Sequence, residues 1–279
     1  MDFLKFHTGA KIPALGLGTW QAKGKKIEDA VYHAIKSGYR LIDTATIYGN
    51  EEDVGRAIRR AMVDFKIKRE ELFITTKLWN TDHGDPATAF NKSLSKLGLD
   101  YVDLYLLHWP VATWQTGWQK MQALKGKTKA LGVSNFDVEQ LQQMIDQKMP
   151  MPAVNQIEFS PYLYRKDILE FCKKNNVLIE AYSPLTRGKK LDEPRLLKIA
   201  EKYDKSPAQI LLRWCVQHGT VPIPKSTNPQ RIEENFNIFD FELSKEDMIV
   251  LDSFDEGHFT YFSTKTTSKI LDFGRRLGI

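Results

Sequence analysis

The sequence predicts an α/β fold in which eight parallel strands alternate with helices and close into a (β/α)8 TIM barrel. Three observations predict it. Short apolar, β-branched runs recur along the chain, and longer segments with helical spacing separate them. The 279 residues are the usual size of one such barrel. Every run also carries a polar or aromatic residue near its C-terminal end, as expected if those ends converge on one face.

The elements follow in order. The opening FLKFHTGAKIP reads as a hairpin turning around Thr8-Gly9 and closing the barrel bottom. The strands are ALGLGTW, RLIDTA, LFITTKL, VDLYLLHW, ALGVSN, AVNQIEF, VLIEAYSP and TVPIPKS. Helical spacing marks IEDAVYHAIKSG, EEDVGRAIRRAM, PATAFNKSLSKLG, DVEQLQQMIDQ and KDILEFCKKNN between them. Asn50, ahead of Glu51, Glu52 and Asp53, reads as an N-cap with a first turn suited to the helix dipole. Asp85-Pro86 and Ser206-Pro207 each pair a cap with proline at the first helical position, and Gly38 and Gly98 sit where helices stop.

Between the seventh and eighth strands lie two helical pieces, EPRLLKIAEKY and PAQILLRWCVQH, so one helix is extra. No Gly/Ser/Pro-rich linker or low-complexity stretch interrupts the chain, and residues 1–279 read as one domain. A doubly wound fold is the weaker alternative: GLGTWQ offers Gly16 and Gly18, but Gln21 breaks the GxGxxG fingerprint.

Composition narrows the function. Hydrophobic residues make up 42% and charged residues 27%, as in ordinary soluble globular proteins. The net charge of +5 is interspersed rather than gathered in an arm, which argues against nucleic acid and for a local anion pocket. Cys172 and Cys215 lie in helical segments and read as buried thiols in a reducing compartment. The N-terminus lacks a signal-peptide pattern, and no apolar run reaches the roughly 18 residues of a membrane span. A cytoplasmic protein without membrane partners is expected.

In strand order, the residues at the C-terminal ends are Trp20, Asp43, Lys77, His108, Asn135, Gln156, Tyr182 and Lys225. Asp43 and Lys77 on neighbouring strands suit an ion pair, since either would be costly to bury alone. Tyr48 follows in the next loop. A tyrosine starts near a pKa of about 10, and an adjacent ammonium lowers it toward the working pH. His108 ends the next strand, where it would orient a carbonyl oxygen. Tyr, Lys, Asp and His together suit proton donation to a carbonyl receiving a hydride.

Hydride transfer needs a cofactor. IPKSTNPQRIEENF offers Lys225, Ser226 and Arg231 around a helix N-terminus opened by Asn228-Pro229, which suits a phosphate monoester. Tyr182 offers an aromatic face for a nicotinamide ring. Metal chemistry is the competing use of such residues, but TDHGD (81–85) reads as a solvated turn with the Asp85 cap, and no HxH or HExxH spacing occurs.

The segments GYRLIDTATIYGNEEDVG, LYLLHWP, LGVSNF, VNQIEFSPYL, AYSPL and IPKSTNPQRIEEN, in this order from Lys11 to Asn235, resemble the signature segments of the aldo-keto reductase family. The resemblance implies a TIM barrel binding NADPH/NADP+ without a Rossmann fold. It implies Tyr48 as general acid, Lys77 and Asp43 as its tuning pair, and His108 as substrate orienter. It also implies Gly18, Thr19, Asp43, Ser134, Asn135 and Gln156 around the nicotinamide end, Tyr182 stacked on the ring, and Ser183 and Leu185 near the pyrophosphate. Lys225, Ser226, Arg231, Glu234 and Asn235 would hold the 2′-phosphate end, and Trp20, Tyr48, Trp79, His108 and Trp109 would line the substrate pocket.

The connections VATWQTGWQKMQALKGKTK and LTRGKKLDEP are short, as in the compact microbial branch similar to 2,5-diketo-gluconate and aldehyde reductases. A monomer acting on a small carbonyl substrate follows from the resemblance. An NADPH sensor with little turnover is the alternative. The C-terminal FTYFSTKTTSKILDFGRRLGI is expected to cover the barrel mouth.

Overall fold

In the computed structural model, residues 2–260 and 264–276 are described. An antiparallel hairpin, β1 (Phe3–Lys5) and β2 (Lys11–Pro13), comes first. Its turn is closed by Phe6 N donating to Ala10 O (2.9 Å) and Gly9 N to Phe6 O (2.9 Å), with Gly9 at φ 91°. That positive φ is why glycine follows Thr8.

Eight parallel strands follow: β3 (Gly16–Gly18), β4 (Leu41–Asp43), β5 (Phe73–Leu78), β6 (Val102–Leu107), β7 (Thr128–Ser134), β8 (Val154–Glu158), β9 (Leu178–Tyr182) and β10 (Val221–Pro222). Each pairs with its sequence neighbour. Gly18 N donates to Pro224 O across the remaining gap (3.1 Å), which brings the first and last strands together. A Cβ on Gly18 would lie 2.9 Å from Ile223 O, so that approach requires glycine.

The helices are α1 (Lys25–Lys36), α2 (Glu51–Asp64), α3 (Pro86–Leu97), α4 (Trp114–Met121), α5 (Val138–Asp146), α6 (Lys166–Lys174), α7 (Pro194–Tyr203), α8 (Pro207–Gln217), α9 (Pro229–Phe236), α10 (Lys245–Asp252) and α11 (Thr264–Arg276). The pair α7 and α8 between β9 and β10 contains the extra helix expected from sequence. Ile27, Ala30, Val31, Ala34 and Ile35 of α1 are buried at helical spacing, as are Val54, Ala57, Ile58 and Ala61 of α2. These faces join a core between strands and helices that includes Ile42, Ile74, Tyr105 and Val133.

Asp85 caps α3 by accepting from Thr88 N (3.1 Å), and Ser206 and Gln209 form a capping box on α8. Gly98 ends α3 in the left-handed conformation, φ 62°. Asn50 departs from expectation. Its side chain makes no cap bond to α2. Instead its Oδ1 accepts from Thr44 Oγ1 (2.8 Å) and its Nδ2 donates to Thr19 O and Ala22 O (2.9 Å each). It ties the exits of β3 and β4 together and supplies buried carbonyls with a donor.

A second core fills the barrel interior at its N-terminal end: Phe6, Ile12, Leu41, Phe73, Leu104, Leu106, Val154, Val221 and Ile223. Phe6 and Ile12 come from the hairpin segment, which therefore plugs the bottom. Along β4, β5, β6, β8 and β9 the inward positions then change from apolar to polar: Leu41 to Asp43, Phe73 to Lys77, Leu106 to His108, Val154 to Gln156, Leu178 to Glu180. Among the described residues, no helix is long and apolar enough to cross a membrane.

Candidate active site

Asp43, Lys77, Tyr48 and His108 meet at the C-terminal end of the barrel. Lys77 has no accessible surface and Asp43 is 2% exposed. The ammonium donates to both Asp43 oxygens (2.7 Å each) and to Thr44 O (2.9 Å), and lies 3.4 Å from Tyr48 Oη. Burial alone would drive the proton off Lys77, but Asp43 and Tyr48 more than offset it and hold its pKa above the ordinary lysine range. For Asp43, burial raises the carboxyl, and the bonds from Lys77 and Gln156 work against that rise.

Tyr48 differs from the sequence expectation. Its pKa is raised, because burial outweighs the lowering by Lys77. The lysine acts in the expected direction, but desolvation of the phenolate is the larger effect. The Tyr48 ring stands edge-on to His108 (centroids 5.8 Å), and Trp79 also packs edge-on against the imidazole (5.2 Å). Burial, helped by Lys77, pushes His108 well below the usual imidazole range, so the ring is neutral at physiological pH. Its Nδ1 is buried with no hydrogen-bond partner.

Around this group the expected polar residues form one chain. Thr19 Oγ1 donates to Asp43 O (2.9 Å), and Ser134 Oγ donates to Gln156 O (2.9 Å). Asn135, in a left-handed conformation (φ 65°), donates to His108 O (3.0 Å) and accepts from Tyr182 Oη (2.9 Å). Ser183 is also left-handed (φ 50°), and Ser183 and Leu185 line the half-buried exit of β9. Trp20, Trp79 and Trp109 are all half-buried at strand ends, and Arg187 stacks 5.1 Å over the Trp20 ring.

At the end of β10, Asn228 caps α9 by accepting from Arg231 N (3.0 Å), and Arg231 is exposed beside it. Asn235 is buried and Glu234 half-buried further along that helix. The Lys225 ammonium is pushed down by partial burial, and then by Lys26 and Arg187. Lys26 from α1 and Arg187 from beyond β9 disfavour the Lys225 charge just ahead of α9, a repulsion that a phosphate group relieves. A phosphorylated nicotinamide dinucleotide carries such a group.

Sequence reasoning missed Lys26, Arg187 and above all Glu180, which has no accessible surface and accepts from Gln156 Nε2 (2.7 Å). Its signal was a lone acid in the apolar run VLIEAY. The 81–85 segment also departs from a solvated turn: His83 is buried, with its Nδ1 2.9 Å from Thr113 Oγ1. Lys190 pairs with Glu256 (2.5 Å). Among the described residues, no group of three or more His, Cys, Asp or Glu is arranged to hold a metal.

A model of the aldo/keto reductase family matches residues 14–256. The chain belongs to this family. It is 48% identical to the glyoxal reductase of Bacillus subtilis over 258 residues, covering 90% of this chain and 92% of that one. It is 43% identical to the methylglyoxal reductase DkgA of Escherichia coli K12 over 261 residues, 91% and 94% of the two chains. The aldo-keto reductase of Bombyx mori, solved in complex with NADP, superposes with a TM-score of 0.87 at 38% identity, covering 95% of this chain and 96% of that one. The (β/α)8 barrel with its N-terminal hairpin is thus the family's barrel, as the strand-end pattern implied.

Part of the C-terminal segment is described. Asp272 of α11 accepts from Ala112 N (2.8 Å), which holds that helix against the loop after β6. Residues 261–263 and 277–279 of this stretch lie outside the described residues.

Proposed function

We propose that this aldo/keto reductase is an NADPH-dependent reductase of small aldehydes and ketones, with Tyr48 as proton donor. The observation that carries the reading is the buried Lys77 ammonium, bonded to Asp43 and facing the Tyr48 hydroxyl at 3.4 Å. When bound, the nicotinamide supplies the hydride. The chain's own residues do the rest. Neutral His108 and the Tyr48 hydroxyl orient the carbonyl oxygen, and Tyr48 passes its proton to the oxygen as negative charge develops there. Lys77 stabilises the phenolate left behind. The raised pKa of Tyr48 suits this direction, since it keeps the acid protonated at neutral pH.

In this reading Gly18, Thr19, Ser134, Asn135 and Gln156 receive the nicotinamide end, and Tyr182 stacks on the ring. Ser183 and Leu185 sit by the pyrophosphate, and Lys225, Ser226, Arg231, Glu234 and Asn235 take the 2′-phosphate end. Trp20, Trp79 and Trp109 form the walls of the substrate pocket, which favours small, apolar or dicarbonyl substrates. We read residues 1–279 as one domain and the protein as a cytoplasmic monomer without nucleic-acid partners. The two buried thiols, Cys172 and Cys215, support a reducing compartment.

The test is NADPH fluorescence titration, followed in the same sample by a panel of small aldehydes and α-dicarbonyls. Binding with substrate-dependent oxidation is expected. Tight binding with no oxidation across the panel would favour a cofactor sensor instead.

A further inference from the structure

Below the proton-donor group the barrel holds a second acid. Glu180 lies one inward step before Tyr182 on β9, in register with Gln156 on β8 and Val221 on β10. The Gln156 amide Nε2 donates to Glu180 Oε2 (2.7 Å) and to Asp43 Oδ2 (2.9 Å), so one NH2 group bridges two carboxyls. Glu180 Oε1 is buried with no partner. The charged and titratable groups that act on this carboxyl are Asp43 from β4 and Lys77 from β5, and Tyr48 in the loop beyond β4 feels it in turn. Gln156 and Val221, its partners on either side, carry no charge.

Lys77 gives its hydrogen bonds to Asp43 and Thr44, not to Glu180. Two ionised carboxylates around one ammonium, with Lys77 and Glu180 fully buried, would leave a net buried negative charge. Glu180 is therefore the acid that keeps its proton at neutral pH. We propose that Glu180 is a positioning residue for the proton-transfer step: when it ionises, it adds negative charge beside Lys77 and Tyr48, and so holds the transferable proton on Tyr48 into the alkaline range. Burial first, then Asp43, push the Glu180 carboxyl up to about 8, which places this change just above neutral pH. Its ionised form raises both Tyr48 and Lys77. The inference rests on the reading of Tyr48 as proton donor.

The experiment compares wild type with Glu180→Gln and Glu180→Leu, both free of the titrating charge. The first readout is the pH profile of kcat/KM for carbonyl reduction. Reduction fails as pH rises through the Tyr48 pKa, and removing the ionised acid lowers that pKa. The alkaline limb is expected to move to lower pH by about 0.5–1 unit in both variants, as a single charge nearby implies. The second readout, thermal unfolding against pH, needs no turnover. Folded Glu180 holds a proton that the unfolded chain releases near pH 4.3, so wild-type stability falls as pH rises from about 4.3 to about 8 and then levels. The melting temperature of Glu180→Gln is expected to gain on that of wild type across this window.

Superimposable limbs, or lower turnover at every pH with the limb unmoved, would overturn the proposal and leave Glu180 a packing residue. A Tyr48→Phe enzyme with wild-type turnover would instead remove the donor reading beneath it, while the melting curves would still report whether Glu180 titrates.

Discussion

Replacing Tyr48 with phenylalanine removes one oxygen and leaves the ring. The ring's contacts are substantial: Lys77 Nζ sits 5.0 Å from its centroid and His108 meets its edge at 5.8 Å. The oxygen's own bond to Lys77 is long at 3.4 Å. Stability should therefore change by less than about 1 kcal/mol. Catalysis should not be spared. A positioned general acid contributes roughly 10²–10⁴-fold, and at about 1.36 kcal/mol per decade this is about 2.7–5.4 kcal/mol of barrier. The assay is single-turnover oxidation of bound NADPH by a small aldehyde, with fluorescence titration of NADPH alongside. Cofactor affinity should hold within about threefold, because no cofactor contact in the proposed site runs through the Tyr48 hydroxyl. Turnover within about threefold of wild type would refute the assignment of the acid. A parallel loss of NADPH binding would mean the hydroxyl organises the site rather than protonating substrate.

Three further outcomes follow from the geometry. Lys77→Met strands Asp43 without an ammonium in a closed site and should cost about 3–5 kcal/mol in denaturant titration, with Asp43→Leu in the same chain recovering part of it. Lys225→Gln should weaken NADPH binding by about tenfold or more while scarcely touching NADH, since a charge-assisted phosphate contact is worth about 1.5–3 kcal/mol. Equal losses for both cofactors would move the 2′-phosphate elsewhere. Gly18→Ala drives a methyl to 2.9 Å from Ile223 O, so unfolding measurements should register about 1–3 kcal/mol of destabilisation.

The barrel was legible because parallel strands buried on both faces read as apolar runs, and because their polar ends stand out against those runs. Asp43, Lys77, His108 and Gln156 were found in this way. Glu180 was not, because attention to the last residue of each strand passes over the inward position two residues earlier, where the same pleat applies. Asn50 carried a helix-cap signature, but the carbonyls of Thr19 and Ala22, about thirty residues away in sequence, take its amide, and no local pattern reveals that. The Tyr48 pKa turned on the balance of desolvation against one ammonium, which depends on burial and distance rather than on residue identity. Lys26 looks like any surface lysine until folding places it near Lys225 and Arg187.

The last strand, β10, is two residues long and sits in the segment VPIPK, where Pro222 and Pro224 have no amide hydrogen to give. The cylinder is therefore a split ring, stitched at its slit by contacts such as Gly18 N to Pro224 O. Thr19 follows β3 on one side of this seam and Lys225 follows β10 on the other. Closure there leans on the close approach of Gly18 to Ile223 more than on a backbone ladder, so this seam tolerates added bulk less than a fully paired one would.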